Sequence, residues 1–399
     1  MQRIALFACL LVSLFSLTAC QDSDIGSPVF HAEGKPTKLS DWNILDLQGV
    51  TLEFADRVVA YDLNTPLFSD YAHKLRTVWV PTGEAAVFDA TDTFKFPIGT
   101  IISKTFYYPR SQGQDDSSVL KALDETAEKL VAGLRLDEVK LIETRLLVRR
   151  EAGWVALPYV WNASQTEAVL KRTGDIKQLS LVDYQAKQQD KPQGKQQDFA
   201  YVVPNENQCA GCHATNATTR EIIPIGPKAR HLDKDYVYKS GRSNQLTAWV
   251  DQGLLTGLPN SSTDGLAKEV ESLNAWSKNA LWGDDSQSLD HRARSYLDIN
   301  CSHCHNAVGP ADTSGLLLEP TDKSGQSLGL CKLPIAAGTG TGNRKFGIVP
   351  GKPDESIFTF RLESTLPSVM MPELGRSLSH SEGVALIREW IANMPGRCD

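Results

Sequence analysis

Residues 301–305 read Cys-Ser-His-Cys-His, and residues 209–213 read Cys-Ala-Gly-Cys-His. Both stretches place two cysteines about one helical turn apart and put a histidine directly after the second cysteine. The chain has only eight cysteines and eight histidines among 399 residues. One chance match has odds on the order of 10⁻² at this composition, and two matches have far lower odds. The repeated pattern therefore indicates one chemistry that is used at two places in the chain.

This Cys-x-x-Cys-His pattern predicts two covalently bound c-type haems. Two thiols at this spacing meet the two vinyl groups of one haem edge, and the next imidazole reaches the iron from the same side. The predicted attachment residues are Cys209, Cys212, Cys301 and Cys304, and the predicted iron ligands are His213 and His305. A thioredoxin-like redox pair would need a βαβ pattern beside one motif, which is missing. The two cysteine pairs also supply enough ligands for one zinc site, but such a site would leave both histidines without a role.

The second motif lies in a segment that resembles a class I cytochrome c. Apolar residues recur at helical spacing from Ala293 to Cys304, so a helix is predicted to run into the motif. Another amphipathic helix is predicted after a capping-box pattern at residues 379–382. Between the two helices, Met371 directly precedes a proline, as does the distal sulfur ligand of that fold, and Met370 is the competing candidate.

The first motif leaves its sixth iron ligand open, because no methionine lies between His213 and Met370. The haem there takes a histidine or another donor, borrows Met370, or stays five-coordinate. His231 is the nearest histidine in sequence and is the candidate metal ligand, although a surface histidine beside acidic residues explains it equally well. His303, inside the second motif, is expected to face the space between the haems or to bond a propionate.

The expected fold is multidomain and α+β. Residues 39–175 are rich in β-branched and aromatic runs and predict a β-rich N-terminal domain. Residues 176–200 are rich in Gln and Lys and are interpreted as a linker. A mainly α-helical di-haem region follows, with a first haem module at residues 201–285 and a second at residues 286–399.

The chain begins with an export signal. Residues 4–17 are apolar and follow Arg3, and the segment Leu17-Thr18-Ala19-Cys20 resembles a bacterial lipobox. The resemblance implies removal of residues 1–19 and lipid on Cys20, with residues 20–38 as a tether; a plain signal peptide is the alternative. Gln21 favours outer-membrane anchoring with the body in the periplasm. The formal charge of −7 argues against nucleic acid as a partner.

Two cysteines remain, Cys331 and Cys398. In an oxidising compartment they either bridge, which would pin the chain terminus beside the second haem, or stay apart.

Several further segments resemble those of a family of bacterial di-haem c-type cytochromes with a distinctive N-terminal region. The segments are residues 61–71, 96–100, 143–147, 159–162, 204–209 and 292–297. The resemblance covers nearly all of the mature chain and implies two haems. It implies no reaction, because the family is functionally unassigned.

Two functions follow as expectations. The first is an electron carrier between redox proteins of the periplasm, in which electrons pass through both haems. The second is a di-haem oxidoreductase, peroxidase-like or acting on a small substrate, with catalysis at the first haem. No nucleophile–base pair, phosphate loop or nicotinamide fingerprint occurs, so the sequence assigns no catalytic residue and leaves enzyme status undecided.

Overall fold

The computed structural model describes residues 25–111, 115–121, 133–184, 195–259, 277–322 and 325–399. The predicted export signal and Cys20 lie outside these residues. Among the residues described, no helix has the length and apolar character needed to cross a membrane.

The strands and helices are short and numerous. The strands are β1 Leu45–Gln48, β2 Thr51–Phe54, β3 Val59–Tyr61, β4 His73–Trp79, β5 Ala86–Val87, β6 Ile101–Pro109, β7 Ser118–Leu120, β8 Leu134–Arg135, β9 Val139–Arg150, β10 Gly153–Trp161, β11 Ala168–Leu170, β12 Asp175–Asp183, β13 Lys195–Val203, β14 Asp235–Tyr238, β15 Gly241–Asn244 and β16 Leu255–Thr256. The α-helices are α1 Glu206–His213, α2 Ala229–Leu232, α3 Gln245–Asp251, α4 Leu289–Leu297, α5 Ile357–Glu363 and α6 Ser381–Ala392. A π-helical turn spans Asp298–Ser302, and 3₁₀ turns span Leu39–Trp42, Asp312–Ser314, Gly338–Thr341 and Pro353–Glu355.

The main sheet has six strands in the order β11-β10-β9-β6-β4-β3, all of them antiparallel. Successive side chains in a strand point to opposite faces, and both faces of this sheet are covered. Leu146 packs into a core with Trp42, whereas its neighbour Leu147 packs into a second core with Trp249. The sheet therefore lies in the middle of the molecule instead of at its edge.

The expectation of a mainly α-helical region after residue 200 is wrong. The structure is β-rich, with 29% strand against 20% helix, several sheets and only six short helices among the residues described. The apolar residues of the first predicted haem module do not pack mainly on one another. Leu232 and Trp249 instead enter the core on the second face of the main sheet, together with Cys209. Short helices suffice because the sheet supplies the opposing apolar surface.

Two predicted connecting segments are also part of the fold. Most of the predicted linker forms β12 and β13, which pair antiparallel, because Leu179 and Tyr201 bury against Phe106. The described part of the predicted tether packs on the protein as well. The Val29 amide donates to the Trp42 carbonyl at 2.8 Å, and the Leu170 amide donates to the Thr37 carbonyl at 2.8 Å.

The second module has the two helices that its apolar spacing predicts. Helix α4 continues through the π-helical turn into Cys301, and it packs on α6 through Leu297, Ile387 and Ile391. The predicted capping box is wrong, because His380 is the N-cap and has no side-chain cap bond, while the Ser379 hydroxyl donates to the carbonyl of Leu362 at 3.1 Å. The Glu382 carboxylate accepts from the Tyr71 hydroxyl at 2.8 Å and from the Lys121 ammonium at 2.8 Å.

Candidate functional site

Helix α1 carries the first motif and is capped from within its own sequence. The Gln208 amide donates to the Asn205 side-chain oxygen at 2.8 Å, and the Asn205 amide donates to the Gln208 side-chain oxygen at 2.9 Å. This reciprocal pair satisfies amides that the helix leaves open at its start. It fixes the helix directly before Cys209 and Cys212.

The first motif opens into a cavity between α1 and the second face of the main sheet. Its empty volume is about 1410 Å³, counting the part that is open to solvent. Cys209, Cys212 and His213 line the cavity on one side, and Ile102 and Leu147 of the sheet line it on another. The sheet of the N-terminal region therefore forms a wall of the site, although the sequence places that region in a separate domain.

His213 is held in the form that binds iron. Its Nδ1 donates to the carbonyl oxygen of Ile223 at 2.8 Å, which leaves the Nε2 lone pair free to bind a metal. Burial, with a further contribution from the charge of Lys104, lowers the pKa of His213 to about 3. The imidazole is therefore neutral at physiological pH.

The second motif opens into a smaller and largely apolar cavity of about 740 Å³. Cys301, His305 and Met371 line it together. The remaining wall is mostly apolar and includes Leu297, Leu316, Leu318, Leu333, Ile357, Phe358 and Leu362. The structure thus brings a thiol and an imidazole of the motif together with a thioether from a later segment, whereas Cys304 does not line this cavity.

His305 is oriented in the same manner as His213. Its Nδ1 lies 3.1 Å from the hydroxyl oxygen of Ser314, and that hydroxyl donates to the carbonyl of Ala311 at 2.7 Å. The hydroxyl oxygen is therefore left to accept from Nδ1, and Nε2 is again free. Burial lowers the pKa of His305 to about 4 and keeps it neutral.

The structure distinguishes the two methionine candidates. Met371 lines the second cavity, and its backbone is fixed by bonds to the carbonyl of Arg361 and from the guanidinium of Arg376. Met370 is buried and does not line that cavity. Met394 packs against the helical core of the second module. Met371 is therefore the methionine that lines the cavity of the second motif.

His231 is buried, contrary to the alternative of a surface histidine, but it does not line the first cavity. Its Nδ1 lies 3.1 Å from the side-chain nitrogen of Asn279, and its Nε2 lies 3.6 Å from a carboxylate oxygen of Asp298. Asp298 also binds Arg230 at 2.8 Å. His231 thus belongs to a buried polar network, and the structure does not bring it to the first motif as the predicted ligand.

His303 lines the first cavity, although it belongs to the second motif. The side chain is buried, and within the described part of the chain its Nδ1 has no hydrogen-bond partner. Burial lowers its pKa to about 4, so this imidazole is also neutral. Apart from His213, it is the histidine that the described structure places in that cavity.

The two motifs are in direct contact. The thiol of Cys304 lies against the backbone of Gly211, and the side-chain amide of Asn306 donates to the carbonyl of Thr215 at 3.3 Å. Close by, the amide of Ala217 donates to the carbonyl of Val308 at 2.7 Å. Groups bound to the two motifs would therefore be neighbours.

Basic side chains that sequence reasoning did not connect also line the first cavity. They are Lys74, Arg76, Lys104, Arg145 and Arg376, and no Asp or Glu among the described residues lines the cavity with them. Four of them lie in strands β4, β6 and β9, and Arg376 lies in the segment after Met371, so no short sequence pattern connects them.

The donor set fits a covalently bound c-type haem at each motif. The free thiols among the described cysteines are those of Cys209, Cys212, Cys301 and Cys304. Each motif has a neutral histidine with an available Nε2 and opens into a cavity. Cys331 and Cys398 form a disulfide, so they do not compete for this chemistry. In the described ranges, no cluster of three or more His, Cys, Asp or Glu side chains is arranged to hold a bare metal ion.

Comparison with known proteins gives no further identification: no protein family, curated protein or solved structure matches this chain.

Proposed function

We propose that this chain is a di-haem c-type cytochrome that transfers electrons between redox proteins of the periplasm. In this proposal it is exported and anchored to the outer membrane through a lipid on Cys20. The observation that carries the proposal is the pairing of each motif with its own cavity and an oriented, neutral histidine. A structural thiol pair or a closed zinc site would not need a cavity of this size beside each motif.

Each motif would hold one haem with its own side chains. Cys209 and Cys212 provide the two thiols of the first site, with His213 as iron ligand, and the second motif repeats the arrangement. Met371 adds a thioether at the second site. Haem bound at such residues supplies a one-electron redox centre, and a thioether ligand raises its reduction potential.

The contact between the motifs supports transfer within the protein. Two bonds cross from residues 304–308 to residues 211–217 with lengths of 3.3 Å and 2.7 Å. These bonds hold the two attachment segments in a fixed relation. A chain built only to bind two independent haems would not need them.

A catalytic role at the first site is the second candidate. The observation in its favour is that, among the described residues, no methionine lines the first cavity, while five basic side chains do. Such a cavity suits an anionic or displaceable ligand better than the apolar second cavity does. An oxidoreductase acting there would react with added peroxide or carbon monoxide.

The test is to express the full chain in a host that matures c-type cytochromes. The alkaline pyridine absorbance spectrum should give two haems per chain, and one haem in each of the double variants Cys209→Ala/Cys212→Ala and Cys301→Ala/Cys304→Ala. A purified chain without covalent haem would refute the proposal. A fully low-spin electron paramagnetic resonance spectrum and inertness to carbon monoxide would favour the carrier over the oxidoreductase.

A further inference from the structure

Three cationic side chains surround one buried phenyl ring beside the first motif. The Nζ atoms of Lys74 and Lys104 lie 5.6 Å and 5.3 Å from the centre of the Phe106 ring, and the guanidinium carbon of Arg145 lies 4.3 Å from it. Cations this close together repel one another unless the ring or nearby negative charges offset the repulsion. We call these three side chains the Phe106 cation cluster.

The carboxylates nearby are already engaged and do not balance this charge. Glu143 is fully buried and binds Arg145 through two bonds of 2.7 Å and 2.5 Å, while also accepting from the Tyr201 hydroxyl at 2.7 Å. Asp62 does not line the cavity, and it binds both Arg76 and Lys234 at 2.8 Å. These two carboxylates neutralise two of the five cations that line the cavity.

Lys104 is one of the cations that these two carboxylates do not neutralise. In the part of the chain that the structure describes, its ammonium has no hydrogen bond or ion pair, and its contact with Phe106 is the interaction observed. Burial, reinforced by the charges of Arg145 and Arg76, lowers the pKa of Lys104 to about 7. A lysine ammonium without a counter-charge is costly in such surroundings.

Arg376 approaches the same cavity from the segment after Met371. Its side chain is buried and donates to carbonyl oxygens, including that of Leu378 at 3.0 Å. Its Nε is buried and has no partner within the described residues. Two side chains from opposite ends of the chain thus bring unmatched donors to one cavity, and charged donors of this kind bind oxyanions strongly.

We infer that Lys104, Arg145 and Arg376 form an anion-binding site in the first cavity, for a carboxylate or a small oxyanion. The anion has two candidate sources, and only the first rests on the proposed function: it is the propionate groups of the haem attached at Cys209 and Cys212. The other source is a free oxyanion that enters the cavity. Both place negative charge against the same cations.

The experiment uses the full-length chain purified with its haems and compares Lys104→Met with wild type. Lys104→Arg keeps the charge and should restore wild-type behaviour, and Lys239→Met on the exposed β14–β15 turn is the control. Circular dichroism melting checks that each variant folds.

Two measurements separate the sources. If the anion is a propionate, Lys104→Met should shift the equilibrium between oxidised and reduced first haem by on the order of tenfold toward the oxidised form, in buffer without added oxyanion. If the anion is free, inorganic phosphate or formate should bind wild type saturably in calorimetry. Lys104→Met should then weaken that binding at least tenfold.

Either result supports the site. The inference is overturned if neither probe binds wild type saturably and Lys104→Met changes the haem equilibrium by less than twofold. Failure of the proposed function is distinguishable, because the pyridine spectrum would then show no haem. Calorimetry with phosphate would still test the cations in that haem-free chain.

Discussion

The thiol of Cys304 lies 3.6 Å from the backbone carbonyl oxygen of Gly211, across 93 positions of sequence. One residue thus belongs to the second motif and the other to the first, and no intervening layer separates them. A Cβ at Gly211 would lie 2.8 Å from the end of the Leu374 side chain, which lines the first cavity, so that side chain would have to shift. The two motifs behave as one structural unit in this fold.

If each motif holds a haem as proposed, replacing Met371 with Ala should alter the second haem and leave the first unchanged. The variant loses the thioether that lines the second cavity, so the midpoint potential of that haem should fall and a high-spin signal should appear. Potentiometric titration and electron paramagnetic resonance measure both effects. Met370→Leu is the matched control, because Met370 is buried outside that cavity. Equal effects of the two substitutions would contradict the assignment.

His303 and His231 should respond differently to substitution. His303 lines the first cavity with a buried, unpartnered Nδ1, whereas His231 lies among Asn279 and Asp298. We expect His303→Ala to change the absorbance and spin state of the first haem. His231→Gln should leave that spectrum as in wild type. A spectral change in the second variant alone would restore His231 as the ligand.

Protonation of His231 in the unfolded chain should lower the stability of the folded protein in mild acid. Burial lowers its pKa to about 3 from 6.5. Below about pH 6.5 the unfolded chain therefore binds a proton at this histidine that the folded chain does not bind. The contribution of neutral His231 to the free energy of unfolding is full above that pH and is lost as the pH falls. The loss is about 3 kcal/mol between pH 6.5 and pH 4.

Urea unfolding midpoints measured between pH 7 and pH 4 provide the test. His231→Gln should show a shallower decline than wild type, because glutamine does not titrate. Parallel curves for the two proteins would show that this residue does not control the acid response.

The disulfide between Cys331 and Cys398 should stabilise the second module without affecting haem attachment. It closes a loop with a sequence separation of 67 residues and ties the chain terminus to the wall of the second cavity. Cys331→Ser/Cys398→Ser should lower the free energy of unfolding by about 2–4 kcal/mol. The pyridine spectrum should still give two haems per chain. Loss of the second haem in this variant would assign the bridge a role in forming that site.

Local chemistry could be predicted from the sequence, because it depends on short spacing. The Cys-x-x-Cys-His motifs, the helix that enters the second motif and the apolar stripe of α6 each lie within about 12 residues. In the sequence, only the proline that follows Met371 favours it over Met370 as the predicted ligand. The structure places Met371, and not Met370, in the second cavity.

Long-range pairing could not be predicted in the same way. Leu232 and Trp249 have helical spacing whether they cover a haem, another helix or a sheet, and the structure shows that they cover the sheet. The Gln- and Lys-rich composition of β12 and β13 indicated a linker, because their buried Leu179 and Tyr201 are separated by exposed polar residues. The partners of Glu382, Tyr71 and Lys121, also come from distant segments.

The core shared by Leu147 and Trp249 determines where the chain can be divided. A fragment that ends at residue 200 would carry the six-stranded sheet with its second apolar face uncovered, and such fragments aggregate. The complementary fragment would carry both motifs but would lack one wall of its larger cavity. The boundary visible in the composition is therefore not a suitable place to separate a recombinant half that carries the two motifs. The smallest unit suitable for study in isolation spans both halves.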